Sequence, residues 1–125
     1  MKKIVLVIED EDDMRSAIAT ALDRSGYHVI EAMNGQDGVT KALEYEPNLI
    51  LLDLLMPIKD GHTALKEIRE TEWGKDAKVV ILTAMDDAAN LGKAYEGGIT
   101  DYITKSEVSL ADLIAKVREL IGDPQ

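Results

Sequence analysis

Four short strand-like segments in this chain each end at side chains able to do chemistry. Ile4–Ile8 runs into Glu9, Asp10, Glu11, Asp12 and Asp13, Leu49–Leu52 into Asp53, Val79–Leu82 into Thr83, and Asp101–Thr104 into Lys105. Carboxylates brought together from two segments repel each other, which raises a pKa or demands a cation. Magnesium resolves the conflict, because it takes one or two protein carboxylates, keeps several waters and completes its octahedron with phosphate oxygens. The chemistry implied is phosphoryl transfer. Asp53 would be the nucleophile forming an acyl phosphate, Mg2+ and the Lys105 ammonium would offset charge, and Thr83 would donate a hydrogen bond. Taken singly, each residue has a plainer explanation. An acid after a strand is commonly a loop residue or a helix cap, and Asp12 and Asp13 are read that way. Thr83 alone merely ends a strand, and Lys105 alone is one of 14 basic residues. None of these plainer explanations accounts for two acids, a hydroxyl and an ammonium meeting at one rim.

That conjunction needs a sheet. The runs Ile4–Ile8, Leu49–Leu52 and Val79–Leu82 are continuous and rich in branched residues, as in strands covered on both faces. Residues 28–32 and 101–104 are more polar and fit edge strands. Between them lie helical stripes: Met14, Ala17, Ile18, Ala21 and Leu22; Val39, Ala42 and Leu43; Ala64, Leu65 and Ile68; Leu91, Ala94 and Tyr95; and Leu110, Leu113, Ile114, Val117, Leu120 and Ile121. Asp12 or Asp13 is placed to cap the first helix, and Gly26 stands just past its end. Strict strand-then-helix alternation predicts an α/β, doubly wound parallel sheet with five helices on both faces. The two polar strands at the edges select the order 2-1-3-4-5. Ligands then bind beyond the carboxyl ends of strands one and three, where strand order reverses.

Composition narrows the remaining classes. A chain of 125 residues is the size of one domain. With 46% hydrophobic and 30% charged residues, it is an ordinary globular mixture. A formal charge of −10 disfavours nucleic acid and anionic lipid as partners. The absence of cysteine excludes disulfides and thiolate sites. No apolar run approaches the length of a membrane span, so a cytoplasmic protein is expected. No glycine-rich nucleotide loop occurs, so ATP is not an expected ligand. His28 and His62 lack ligand spacing, and Trp73 is expected to cover the core's edge. Asn34-Gly35 and Gly97-Gly98 read as turns.

With these residues in place, the chain resembles the receiver domain of two-component response regulators, most closely the single-domain chemotaxis-regulator type, over residues 1–122. The resemblance rests on Glu9-Asp10-Glu11, on Asp53 within Leu51-Leu52-Asp53-Leu54-Leu55-Met56-Pro57 followed by Gly61, on Thr83-Ala84, and on Tyr102 with Lys105. Thr83 follows Asp53 by 30 residues and Lys105 follows Thr83 by 22, as in the family's pattern. The resemblance implies that Asp53 accepts phosphate from the phosphohistidine of a sensor histidine kinase or phosphotransfer protein. It further implies that Asp10, Asp53 and the backbone carbonyl of Leu55 bind Mg2+, with Glu9 contributing through a water. Thr83 and Ala84 would bind the phosphoryl group, Lys105 would pair with Asp53, and Tyr102 would turn inward as Thr83 moves. The output would be a population shift on the surface of the fourth helix, fifth strand and fifth helix, in a monomer or a phosphorylation-dependent dimer.

Three departures from the family pattern carry expectations of their own. Glu9 stands where aspartate is usual, which a water-mediated contact tolerates. Ser106 stands where the family usually has proline, commonly after a cis bond; that bond before a non-proline residue costs about 3 kcal/mol, so the loop is expected to be either trans or less fixed, and the sequence leaves the isomer of the Lys105–Ser106 bond open. The chain ends after the fifth helix with residues 123–125 as tail, so no output domain is expected. Leu55 and Met85, each two residues beyond a site residue, are apolar and cannot orient an attacking water, which implies slow self-dephosphorylation. Two alternatives remain beside this reading. One is a haloacid-dehalogenase-like phosphatase using Asp10 within Asp10-Glu11-Asp12, although Asp13 and Met14 depart from that motif. The other is a flavodoxin-like module that binds partners without phosphorylation.

Overall fold

The computed structural model describes residues 2–56, 58–84 and 88–125, with the side chains at 88–91 and 107 outside that description. Pro57 of the Asp53 motif, Met85 and the side chain of Leu91 therefore lie outside the described residues. The elements alternate as the periodicities require: β1 (Ile4–Ile8), α1 (Asp12–Arg24), β2 (His28–Ala32), α2 (Gly35–Tyr45), β3 (Leu49–Leu52), α3 (Gly61–Arg69), β4 (Val79–Thr83), α4 (Ala88–Glu96), β5 (Asp101–Thr104) and α5 (Leu110–Ile121). Single turns of 3₁₀ helix at Trp73–Asp76 and Lys105–Glu107 complete them. The strands form one parallel sheet in the order β2-β1-β3-β4-β5, with the two polar strands at its edges.

The buried strands split their side chains between two cores because successive residues face opposite sides of a sheet. Leu6, Ile8, Ile50, Leu52 and Ile81 pack with Val39, Ala42, Ala64, Leu65, Ile68 and Ala94 from α2, α3 and α4. Val5, Val7, Leu49, Leu51, Val80 and Leu82 pack with Ile18, Leu22, Leu113, Val117 and Ile121 from α1 and α5. Trp73 packs at the edge of the first core, as its position suggested. Not every stripe residue is covered: Leu43, Tyr95 and Leu110 are exposed. Among the described residues, no helix is long and apolar enough to cross a membrane.

The helix starts carry local signals of varied strength. Asn34 accepts from the Asp37 N–H at 2.8 Å, Asp60 from the Thr63 N–H at 2.8 Å, and Ser109 with Asp112 forms a reciprocal capping box. The expectation that Asp12 or Asp13 caps α1 is not met. Both lie inside the first turn, and the N-cap position belongs to Glu11, whose side chain makes no capping bond. The two acids instead face the positive end of the helix dipole, and Asp12 is held 2.6 Å from Arg15 Nη2. Gly26 follows the C-terminus of α1 with φ +104°, as expected of a residue past a helix end.

Candidate functional site

β1 and β3 lie side by side with Ile8 opposite Leu52, so the residues that follow them, Glu9 and Asp53, emerge at the same edge. The ladder runs one step further: the Asp53 N–H donates to the Ile8 carbonyl at 3.0 Å and the Glu9 N–H to that of Ala32 at 3.0 Å. Both side chains are therefore fixed by sheet backbone, and both are buried, Glu9 at 1% and Asp53 at 6% exposure. Asp10, one residue further out, is exposed. Among the described residues, Glu9, Asp10 and Asp53 are gathered so that one carboxylate oxygen from each lies within 4.8 Å of the others.

β5 brings the counter-charge. The register sets Thr83 opposite Thr104, and the next residue, Lys105, opens a 3₁₀ turn with its ammonium reaching back over the sheet. Lys105 Nζ donates to Glu9 Oε1 and, at 3.2 Å, to Asp53 Oδ2. Asp53 Oδ1 accepts from the Leu55 N–H at 3.2 Å. Thr83 is fully buried at the end of β4, and Ala84 after it is exposed. The Lys105–Ser106 peptide bond is trans. Tyr102, half-buried, packs edge-on against Tyr95 of α4, with ring centroids 6.2 Å apart and planes at 85°.

Two carboxylates and one ammonium leave an excess of negative charge in a confined space. Burial pushes the Glu9 carboxyl up to about 8, with the neighbouring Asp53 adding to the rise and Lys105 opposing it. Burial alone would lower the Lys105 ammonium, but Glu9 and Asp53 more than offset this and hold it above the ordinary lysine range. Glu9 Oε2 is buried without a hydrogen-bond partner. A buried polar atom left so is unfavourable by about 1–3 kcal/mol. A hard divalent cation answers both conditions: it balances the excess carboxylate charge and supplies a partner on the side of Glu9 that Lys105 does not reach. The oxygen-only donor set, partly open to solvent through Asp10, fits Mg2+ keeping several waters.

Two residues support this cluster, Arg15, which no motif marked, and Gly61, which stands in the Asp53 motif. Arg15 Nη1 donates to the Glu9 carbonyl at 2.9 Å while its other nitrogens reach Asp12 and Glu31, bracing the turn between β1 and α1. Its spacing of three from Asp12 was the only available signal. Gly61 lies so close to Asp53 that a Cβ there would sit 2.4 Å from the Asp53 carbonyl oxygen, so only glycine lets α3 start there.

A family model described as the response regulator receiver domain matches residues 5–118. The transcriptional regulatory protein ResD of Bacillus subtilis (strain 168) is 37% identical over 117 residues, covering 94% of this chain and 47% of that protein. The chain thus spans about half the length of such regulators. The chemotaxis protein CheY of Halobacterium salinarum is 34% identical over 119 residues, covering 94% of this chain and 98% of that protein. Among solved structures, the receiver domain of the sensor histidine kinase PA1611 of Pseudomonas aeruginosa PAO1, which has a magnesium ion coordinated in its active site cleft, superimposes with a TM-score of 0.88 at 28% identity, over 98% of this chain and 100% of that one. CheY4 of Vibrio cholerae shares the fold with a TM-score of 0.89 at 22% identity, over 96% of this chain and 99% of that one.

Proposed function

The chain belongs to the response regulator receiver domain family, and on that premise we propose that it is a signalling switch whose Asp53 accepts a phosphoryl group from a phosphohistidine. The observation that carries this reading is the convergence on Asp53 of a buried acid, Glu9, and a partly buried ammonium, Lys105, from the ends of two other strands. Family membership favours this reading over the phosphatase alternative with Asp10 as nucleophile.

In the step itself, an Asp53 carboxylate oxygen attacks phosphorus, the P–N bond of the phosphohistidine breaks, and the departing imidazole nitrogen keeps the electron pair and takes up a proton. Asp10, Asp53 and the Leu55 carbonyl would hold Mg2+, with Glu9 joined through a water. When bound, the ion supplies positive charge to the oxygens of the transferring group. Lys105, already beside Asp53, remains paired with the phosphorylated side chain and stabilises its new charge. The Leu55 N–H that now binds Asp53 holds the carboxylate in a fixed orientation, which favours in-line attack.

The readout proposed is a shift of conformational population. Thr83 donates to a phosphoryl oxygen, its displacement opens space at the end of β4, and Tyr102 turns from its contact with Tyr95 into that space. This changes the face formed by α4, β5 and α5, which a partner reads. The sensor kinase or phosphotransfer protein and the downstream target are protein partners, and the place of action is the cytoplasm. Incubation with phosphoramidate and Mg2+ tests the reading. The wild type is expected to gain one phosphoryl group, chelation of Mg2+ to prevent this, and Asp53→Asn to gain none; labelling of Asp53→Asn equal to wild type overturns it.

A further inference from the structure

The backbone of Ile58 has φ +71°, in the left-handed region that a β-branched residue avoids because its Cβ crowds the following carbonyl. Strain of this kind persists only where neighbours over-determine the backbone, and the loop between β3 and α3 is held at both ends. The Gly61 N–H donates to the Leu54 carbonyl at 3.0 Å, closing the loop. The Lys59 carbonyl packs onto Gly35 at the start of α2, where a Cβ would meet it at 2.0 Å. The Lys59 ammonium pairs with Glu67 of α3. Ile58 therefore stands on a fixed bracket.

Nothing within the fold rewards its side chain. Met56, two residues earlier, packs against the core, whereas Ile58 is 82% exposed, more than any other large hydrophobic residue among those described. Two further apolar side chains stand out of the surface nearby, Leu55 and Met33, each 58% exposed. Met33 and Ile58 line the same surface concavity, and Leu55 is two residues from Asp53. Asparagine or glycine at position 58 would relieve the backbone and suit the solvent. The residue present is the type this backbone tolerates least and this exposure needs least.

We propose that Ile58 is a specificity-determining contact for a protein phosphodonor, packing with Leu55 and Met33 against apolar side chains that flank the donor's phosphohistidine. This rests on the reading of Asp53 as phosphoacceptor. Any donor must bring its phosphorus to Asp53, and the loop that carries Leu55 and Ile58 starts at the next residue, with the Leu55 N–H bonded to Asp53 Oδ1. A small phosphoryl donor brings charge and no apolar surface, whereas a histidine on a folded partner arrives with neighbours able to cover the rim. The bracket holds Ile58 in place before the encounter, which limits the ordering entropy lost on docking.

The test compares donors on one variant. Ile58→Asn should fold, and its urea midpoint should rise, because asparagine adopts positive φ with less strain. Phosphoramidate should label Asp53 in this variant at the wild-type rate. The protein donor is the phosphorylated sensor kinase, among those purified from the source genome, that transfers fastest to wild type. From it, kcat/KM should fall about tenfold, the scale of losing one buried apolar anchor at an interface, and Ile58→Met should recover most of the loss. Equal kinase transfer to wild type and Ile58→Asn overturns the proposal. So does an equal loss with both donors, which would place the effect on the site rather than on docking, and so does failure of every kinase to transfer to wild type. Failure of phosphoramidate to label wild-type Asp53 is a different result, overturning the phosphoacceptor reading itself. Should Ile58→Asn not fold, Ile58→Gly carries the same comparison.

Discussion

Lys105 Nζ, on the turn that follows β5, stands 3.2 Å from Asp53 Oδ2 at the end of β3, a contact across 52 residues of sequence. Lys105 also donates to Glu9, so one ammonium is shared by two carboxylates from neighbouring strands. Replacing it with a neutral side chain leaves those carboxylates facing each other while largely buried. Lys105→Met is expected to lower stability at neutral pH by about 3 kcal/mol, the scale of breaking a buried ion pair. It should also slow phosphorylation by phosphoramidate about 100-fold, the scale of removing one charge-stabilising donor. Urea unfolding and labelling rates check the two effects separately.

Glu9 ties stability to pH and, on the proposed site, to Mg2+. Its Oε2 lacks a partner, and burial pushes its carboxyl up to about 8. A carboxyl raised in this way favours the folded state fully at pH below its unfolded value, and that contribution is lost as pH climbs towards and through about 8. In EDTA, Glu9→Gln is therefore expected to be more stable than wild type, by a margin that widens from pH 6 to pH 8.5. Mg2+ should narrow or reverse the margin, since a site filled at ten times its dissociation constant adds about 1.4 kcal/mol to the wild type. Thermal unfolding with and without Mg2+ across that pH range is the measurement.

Asp60 shows the opposite sign. The Thr63 N–H beside it, at the N-terminus of α3, holds its carboxyl below the usual carboxylate value. A depressed carboxyl contributes stability above its unfolded pKa, and the contribution is lost as pH falls through the depressed folded value. Asp60→Ala is expected to lose about 1 kcal/mol at pH 7, as for other N-caps. The difference should shrink as the pH drops below about 3.9, and urea midpoints at pH 7 and pH 3 check it.

The lifetime of the acyl phosphate proposed at Asp53 would be set by what can position water. Leu55 is exposed two residues beyond Asp53 and carries no hydrogen-bonding side chain. Decay in Mg2+ is expected to take minutes or longer, and Leu55→Asn to shorten the half-life several-fold by giving a water a partner. A wild-type half-life of seconds contradicts this.

Much of the architecture was legible because it follows from two periodicities. The strands at 4–8, 28–32, 49–52 and 101–104 have the bounds read from the sequence, and β4 differs only by taking in Thr83. The edge order followed from the polarity of His28–Ala32 and Asp101–Thr104. The gathering of Glu9, Asp10 and Asp53 was readable because strand ends on one rim of a parallel sheet must converge. Contacts that depend on three-dimensional proximity without a local pattern were not readable. Arg69 donates to the carbonyls of Gly74, Ala77, Gly97 and Gly98, tying the ends of α3 and α4 together, yet in the sequence it is an ordinary helical arginine. The N-terminus of α1 was misjudged because acids suit both a cap and a first turn, and only the backbone at Glu11 distinguishes them. The turn at Ile58 was hidden because a β-branched residue gives no warning of positive φ.

The central claim is that Asp53 forms an acyl phosphate. Trapping with borohydride after phosphoramidate treatment in Mg2+ reduces such a linkage to homoserine, which peptide mass mapping locates. Homoserine at position 53, absent when Mg2+ is chelated, is the expected result. Homoserine at position 10 instead, or none at any aspartate despite a phosphoryl group on the protein, contradicts the account.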